Sequence, residues 1–248
     1  MNVNEKIVFG KENLDYNIIF VTGSSRVGKT LFSKSVSCCE NVEWIEEPFH
    51  LSLLLKLAGL GYLDKSLFRM MFSSLLHELI NDCILLRNAN FRANDLSGIW
   101  NFKTPKNIFE RLNNVNTRVD VLNYVEDKKP YFLIDMPDVL PFLSIATEMC
   151  NNSSVVNVVR HPCDVADSCK LKGWFKEEYI NNSANIITRC YRGHKIPWWV
   201  KVGFEERFLT LPLWDRGLMY WEMIYGYGEH AEGNLLRYDH IIRYEDLI

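Results

Sequence analysis

The stretch "TGSSRVGKT", Thr22 to Thr30, puts two cations, two glycines and several hydroxyls directly after the apolar run "NIIFV". Gly23 and Gly28 let the backbone fold tightly, so that successive N–H groups point into one concavity. A helix opening at Thr30 adds its unpaired N-terminal N–H groups and the positive end of its dipole. With Arg26 and Lys29 in the loop, the chemistry this spacing serves is anion binding. The segment also fits G-x-x-x-x-G-K-[ST] in full, the pattern of an ATP or GTP loop. There the Lys reaches the β- and γ-phosphates and the hydroxyl holds Mg²⁺. A carboxylate ending a neighbouring strand completes that chemistry, and Asp135 in "YFLIDMPD" stands in such a position. A Mg²⁺-dependent P-loop kinase or NTPase using Lys29, Thr30 and Asp135 is therefore one reading of the loop. A nucleotide-binding regulatory module without catalysis is another.

A second constellation narrows the choice. "VVNVVRHPCDVADS" places Arg160 at the end of a strand and Ser168 two turns into the following helix, with Pro162 suited to the first helical position. Arg160 offers a planar fork matched to phosphate oxygens, and Ser168 offers a hydroxyl to the same oxygens. Asp164, in the first turn, offsets the helix dipole or pairs with a neighbouring base. Two anion-binding elements at the carboxyl ends of parallel strands suit a ligand with phosphates at both ends of a nucleoside. A P-loop kinase has no evident need for Arg160 and Ser168 at that spacing.

Together these residues resemble the sulfotransferase family that uses 3′-phosphoadenosine 5′-phosphosulfate (PAPS). "GSSRVGKT" is similar to that family's 5′-phosphosulfate loop, G-x-x-R-S-G-T-[ST], departing from it at Val27 and Lys29. "RHPCDVADS" matches its 3′-phosphate motif, R-[DNH]-P-x-D-x-x-x-S, and "RYEDL" (243–247) resembles a signature found later in many members. "EWIEEPFH" is similar to a second strand ending in Glu-Pro. The resemblance runs in order over residues 17–248. It implies that Ser25, Arg26, Val27, Gly28, Lys29 and Thr30 hold the 5′-phosphosulfate, and that Arg160 and Ser168 hold the 3′-phosphate. It implies further that Arg26, with Lys29, stabilises the leaving group, and that Glu47 is the general base, with His50 as the alternative. Arg243, Glu245 and Asp246 are expected to be structural. The product is 3′-phosphoadenosine 5′-phosphate (PAP), and no metal is required. The acceptor is a small molecule or carbohydrate bearing a hydroxyl or amine. "YFLIDMPD" departs from a family strand ending K-x-P, with Asp135 in place of the Lys. Family members also continue beyond an R-Y-E-D-L segment, so the resemblance implies that this sequence stops short of them at its C-terminus.

The elements that must position these groups follow from periodicity. Strands are expected at 17–21, 42–47, 131–135, 154–159 and 239–243, and helices at 30–39, 137–150 and 215–228. In 49–87, Leu51, Leu54, Leu55, Ala58, Leu67, Met70, Met71, Leu75 and Leu79 recur at helical spacing and read as core. Alternating strands and helices imply an α/β fold, a three-layer α/β/α arrangement around a mainly parallel sheet. We expect a single domain over 1–248, with a helical and irregular excursion at 49–117. Trp174, Trp198, Trp199 and Trp214 fall in irregular stretches, where they either stack on sugar rings or pack as a lid.

Composition bounds the rest. With 28 Lys and Arg against 31 Asp and Glu, the net charge of −3 argues against a general nucleic-acid or anionic-membrane binder. Seven cysteines at irregular spacing, with no C-x-x-C pair, form neither a disulfide framework nor a zinc pattern. The first seventeen residues carry no basic and apolar leader, and no apolar run is long enough to span a bilayer. A cytoplasmic protein with reduced thiols is the expectation.

Overall fold

The computed structural model describes residues 14–88, 90–184, 186–229 and 240–248. Most of the first seventeen residues, and Asp239 of the last expected strand, lie outside them. In chain order the elements are β1 (Leu14–Thr22), α1 (Lys29–Val36), β2 (Val42–Ile45), α2 (Phe49–Gly59), α3 (Lys65–Leu85), α4 (Pro105–Asn114), α5 (Arg118–Lys128) and β3 (Tyr131–Asp135). There follow α6 (Leu143–Thr147), β4 (Cys150–Val159), α7 (Pro162–Lys172), α8 (Glu177–Asn182), β5 (Thr188–Tyr191), β6 (His194–Pro197), α9 (Glu205–Thr210), α10 (Leu213–Glu229) and β7 (His240–Arg243). Five strands form one sheet in the order β2-β3-β1-β4-β7, while β5 and β6 make a separate antiparallel hairpin. The pairs β2–β3 and β4–β7 are parallel, with Ile45 opposite Ile134 and Val159 opposite Arg243. This is an α/β fold of the three-layer class, its sheet strands connected through helices as parallel pairing requires.

The chain divides into two compact units. The first holds residues up to Ile19, Val36–Ile134 and Phe142–Ser154; the second holds Phe20–Ser35, Asp135–Pro141 and the chain from Val155. In the first unit α3 buries Phe68, Phe72, Leu76, Ile80 and Ile84, one residue per turn along one face. The expected stripe was displaced: Leu67 and Met71 are exposed. Apolar residues occupy several faces of this helix, and the larger Phe rings take the interior because they remove more surface from water. Asp64 caps α3 by accepting from the N–H groups of Ser66 and Leu67, and Thr117 with Asp120 forms a capping box on α5. Within this unit Arg111 forks onto the buried Glu43 carboxylate at 3.1 and 2.5 Å and also donates to Tyr124 Oη.

In the second unit α10 lies against α7, where Gly217 allows close approach. A Cβ there would sit 2.7 Å from Ala166 Cα. Met219, Tyr220, Met223 and Ile224 are buried on α10. Phe175, Trp199, Phe208 and Tyr220 interlock nearby in edge-to-face and tilted contacts, with centroids 5.2 to 5.5 Å apart.

Two expected boundaries change near the candidate site. The strand expected at 42–47 stops at Ile45, opposite Ile134 of β3, and Pro48, which has no N–H to give a ladder, follows shortly. Glu47 therefore stands in a loop, with φ +37, and not at a strand end. The helix expected at 137–150 is a turn at Leu140–Phe142 and the short α6. Pro137 and Pro141 each lack an N–H, and Pro141 would collide with the carbonyl four residues back in a continuous helix.

Candidate functional site

The second unit holds the phosphate-loop residues, Arg160 and Ser168. Gly23 and Gly28 adopt φ of +131 and +93, and each is closely approached from outside the loop. A Cβ on Gly23 would lie 2.2 Å from Val158 O, and one on Gly28 would lie 2.2 Å from Tyr244 Cδ2. Arg26 also takes a positive φ, +73, an unfavourable conformation for a residue with a side chain. Arg26 is exposed.

Arg26 and the strand-to-helix element meet directly. Arg26 Nε donates to Ser168 Oγ at 2.9 Å, and Arg160 Nη1 lies 3.5 Å from Arg26 O. Among the described residues no hydrogen bond takes the two Nη groups of Arg26, and its fork sits 5.8 Å from the Trp174 ring centre. The Arg160 guanidinium stacks 4.3 Å from the Tyr244 ring centre and pairs with Asp164 at 3.5 Å. Tyr244 is thus held between Arg160 and Gly28. Its neighbour Glu245 accepts from the His161 N–H at 2.9 Å, a bond that holds the Glu245 carboxyl below the usual carboxylate range. Trp221 Nε1 donates to Arg160 O at 3.2 Å, and Tyr225 Oη donates to Val158 O at 3.1 Å. The "RYEDL" segment and α10 accordingly support the end of β4 from which Arg160 projects.

The first half of the loop is engaged differently. The Ser24 N–H donates to Tyr225 Oη at 3.2 Å, and the Ser25 N–H is shared between Asp138 Oδ1 at 2.8 Å and Tyr220 Oη at 2.6 Å. Ser25 Oγ donates to Asp138 Oδ2 at 3.0 Å, while Tyr220 Oη donates to Asp138 Oδ1. Burial first, and the adjoining Asp138 carboxylate second, push the Tyr220 phenol well above its ordinary range. The remaining loop residues follow toward α1. Val27 is fully buried. Lys29 is buried as well, and its ammonium donates to Ser24 O at 2.9 Å. Asp135 is wholly buried and accepts from Ser33 Oγ on α1.

The base candidates belong to the first unit. Glu47 and His50 are exposed. Burial pushes the neighbouring Glu46 carboxyl up, against a Ser97 hydrogen bond that pulls it down. Of the tryptophans, Trp198 and Trp199 are buried, and Trp214 Nε1 donates to Asp167 at 2.7 Å. Trp174 faces the Arg26 guanidinium.

Asp138, Tyr220, Tyr225 and Tyr244 were missed by sequence reasoning. Asp138 carried one usable signal, an acidic residue three places after the end of a sheet strand in "DMPD". The three tyrosines reach the loop only through tertiary packing. Among the described residues no group of three or more His, Cys, Asp or Glu is placed to hold a metal ion, and no helix is long and apolar enough to cross a membrane.

No known protein family and no curated protein matches the chain. Among solved structures, it is similar to the sulfotransferase domain from the curacin biosynthetic pathway, with 15% identity and a TM-score of 0.41 over 95% of this chain and 69% of that one. It is also similar to a sulfotransferase from Alicyclobacillus acidocaldarius (12% identity, TM-score 0.41, 94% and 74%). The sulfotransferase domain from the Synechococcus PCC 7002 olefin synthase aligns at 13% identity and a TM-score of 0.44, over 98% and 71%.

Proposed function

We propose that the chain is a sulfotransferase, moving a sulfonyl group from PAPS to a hydroxyl or amine of a carbohydrate or small metabolite. The observation that carries this reading is the bond from Arg26 Nε to Ser168 Oγ, with Arg160 beside it. It joins the loop to the strand-to-helix element at one locality of one unit, as a ligand with two separate phosphate groups requires. The residues fit such a ligand: the Arg26 fork is open, Gly28 leaves room where a Cβ would strike Tyr244, and Arg160 is held at a strand end.

In sulfonyl transfer, the acceptor oxygen or nitrogen bonds to sulfur as the bond from sulfur to the bridging phosphate oxygen breaks. The acceptor's proton passes to a base, and PAP leaves. PAPS supplies the activated sulfonyl group. Arg26 and the N–H groups toward Thr30 stabilise charge on the departing phosphate, while the buried Lys29 ammonium braces the loop through Ser24 O. Arg160 and Ser168 hold the 3′-phosphate. Glu47 takes the proton, with Glu46 and His50 as rivals.

Calorimetry with PAP against ATP–Mg²⁺ tests the assignment. PAP is expected to bind, and Arg160→Ala is expected to weaken it by about 1.5–3 kcal/mol, the range of a charge-assisted hydrogen bond. Tight binding of ATP–Mg²⁺ with none of PAP overturns the reading. Glu47→Gln should retain PAP binding while turnover falls by ~10²–10⁴. Parent-like turnover in that variant would transfer the role to Glu46 or His50.

A further inference from the structure

A full match to the ATP-loop pattern is expected to admit a triphosphate, yet the loop's first half already holds an anion belonging to the protein. Asp138 adopts φ +61 just beyond β3 and is fixed there by its own N–H, which donates to Gly23 O at 3.0 Å. Its carboxylate takes three donors at the Ser25 end: the Ser25 N–H, the Ser25 hydroxyl and the Tyr220 hydroxyl. These are the kinds of donor that a terminal phosphate would need. The Lys29 ammonium, which in an ATP loop reaches the outer phosphates, is instead buried and donates to Ser24 O.

We infer that Asp138 is a specificity-determining residue, whose carboxylate stands in for the outermost phosphate at the Ser25 end of the loop and so rejects triphosphates. A shorter anion then binds only toward Arg26 to Thr30, where the Arg26 fork is open. The inference rests on the loop being the donor's anion site, and it deepens that reading by naming what shortens the ligand. The opposite role, Asp138 as a Mg²⁺ ligand for a triphosphate, suits the geometry less well. Both carboxylate oxygens face hydrogen-bond donors, an arrangement that matches negative charge and opposes a cation on the same lone pairs.

The test uses the full chain and Asp138→Asn, which keeps the side chain's size and one acceptor oxygen while removing the charge. Inorganic tripolyphosphate, ATP–Mg²⁺ and PAP are titrated calorimetrically into both proteins. The tripolyphosphate-to-PAP affinity ratio is expected to rise by roughly tenfold or more in Asp138→Asn, since one unit charge a few ångströms from the ligand is removed. An unchanged ratio overturns the inference. So does a loss of ATP–Mg²⁺ affinity in the variant, which would make Asp138 a metal ligand. If Asp138→Asn fails to fold, the parent protein decides. Tripolyphosphate binding as tightly as PAP overturns the inference, and binding roughly tenfold or more weaker supports it. If neither protein binds PAP, the sulfonyl-donor reading fails separately. Asp138 is then judged by tripolyphosphate alone, where a gain in the variant supports its role and no gain overturns it.

Discussion

Gly28→Ala tests whether the "RYEDL" segment braces the phosphate loop. Gly28 has φ +93, a conformation that costs a residue with a side chain about 1–3 kcal/mol. The new methyl would also lie 2.2 Å from Tyr244 Cδ2 and 2.7 Å from Cε2, so the ring must move. Moving it breaks the stacking of Arg160 at 4.3 Å, a contact of about 0.5–1 kcal/mol where the cation is partly exposed. The two effects together are about 1.5–4 kcal/mol, which lowers the melting temperature of a chain this size by about 3–16 °C. Scanning calorimetry reads that loss, and titration with PAP reads the accompanying loss of affinity as Arg160 and the loop lose register. Gly28→Ala with Tyr244→Ala separates the causes. The collision disappears in the double variant while the backbone strain persists, so a coupling of about 0.5–1 kcal/mol is expected across the cycle. Parent-like melting of Gly28→Ala, or a double variant whose loss is the plain sum of the singles, would refute the bracing argument.

The buried pair of Glu43 and Arg111 makes a second prediction. Against burial, which alone would lower it, the Glu43 carboxylate holds the Arg111 guanidinium above its usual range. Arg111→Met strands that carboxylate and should cost ~3–5 kcal/mol in denaturant unfolding, whereas Glu43→Leu with Arg111→Met should lie far closer to the parent. Equal losses in the two variants would show that packing, not charge, sets the cost. Thiol labelling supplies a third. Burial pushes the Cys83, Cys150 and Cys169 thiols up to about 12, so at pH 8 they hold almost no thiolate, while Cys38, Cys39 and Cys190 are exposed. A chromogenic disulfide should modify the exposed three rapidly in the folded protein and all seven cysteines after denaturation. Fast labelling of Cys169 in the folded protein would contradict the packing of α7 against α10.

Much of the architecture was legible because it is local. β3 matches its expected span of 131–135, and β1 and β4 extend theirs, since β-branched runs bounded by turn residues have few alternatives. The failures share a cause. Helical spacing in 65–85 is satisfied by more than one face, and only packing chose Phe68 and Phe72 over Leu67 and Met71. The strand carrying Glu47 looked continuous in the sequence, but its ladder closes at Ile45 opposite Ile134, because pairing belongs to two strands.

The loop divides in the same way. Residue types and spacing alone pointed to an anion-binding turn, with a second candidate anion element at Arg160 and Ser168. Only the tertiary structure decided which donors are taken and which remain open. Ser25 meets Asp138 across 113 residues and Tyr220 across 195, and Arg26 meets Ser168 across 142. A motif records the donors that a backbone turn presents, but whether they face solvent or another side chain depends on groups that arrive from distant parts of the chain.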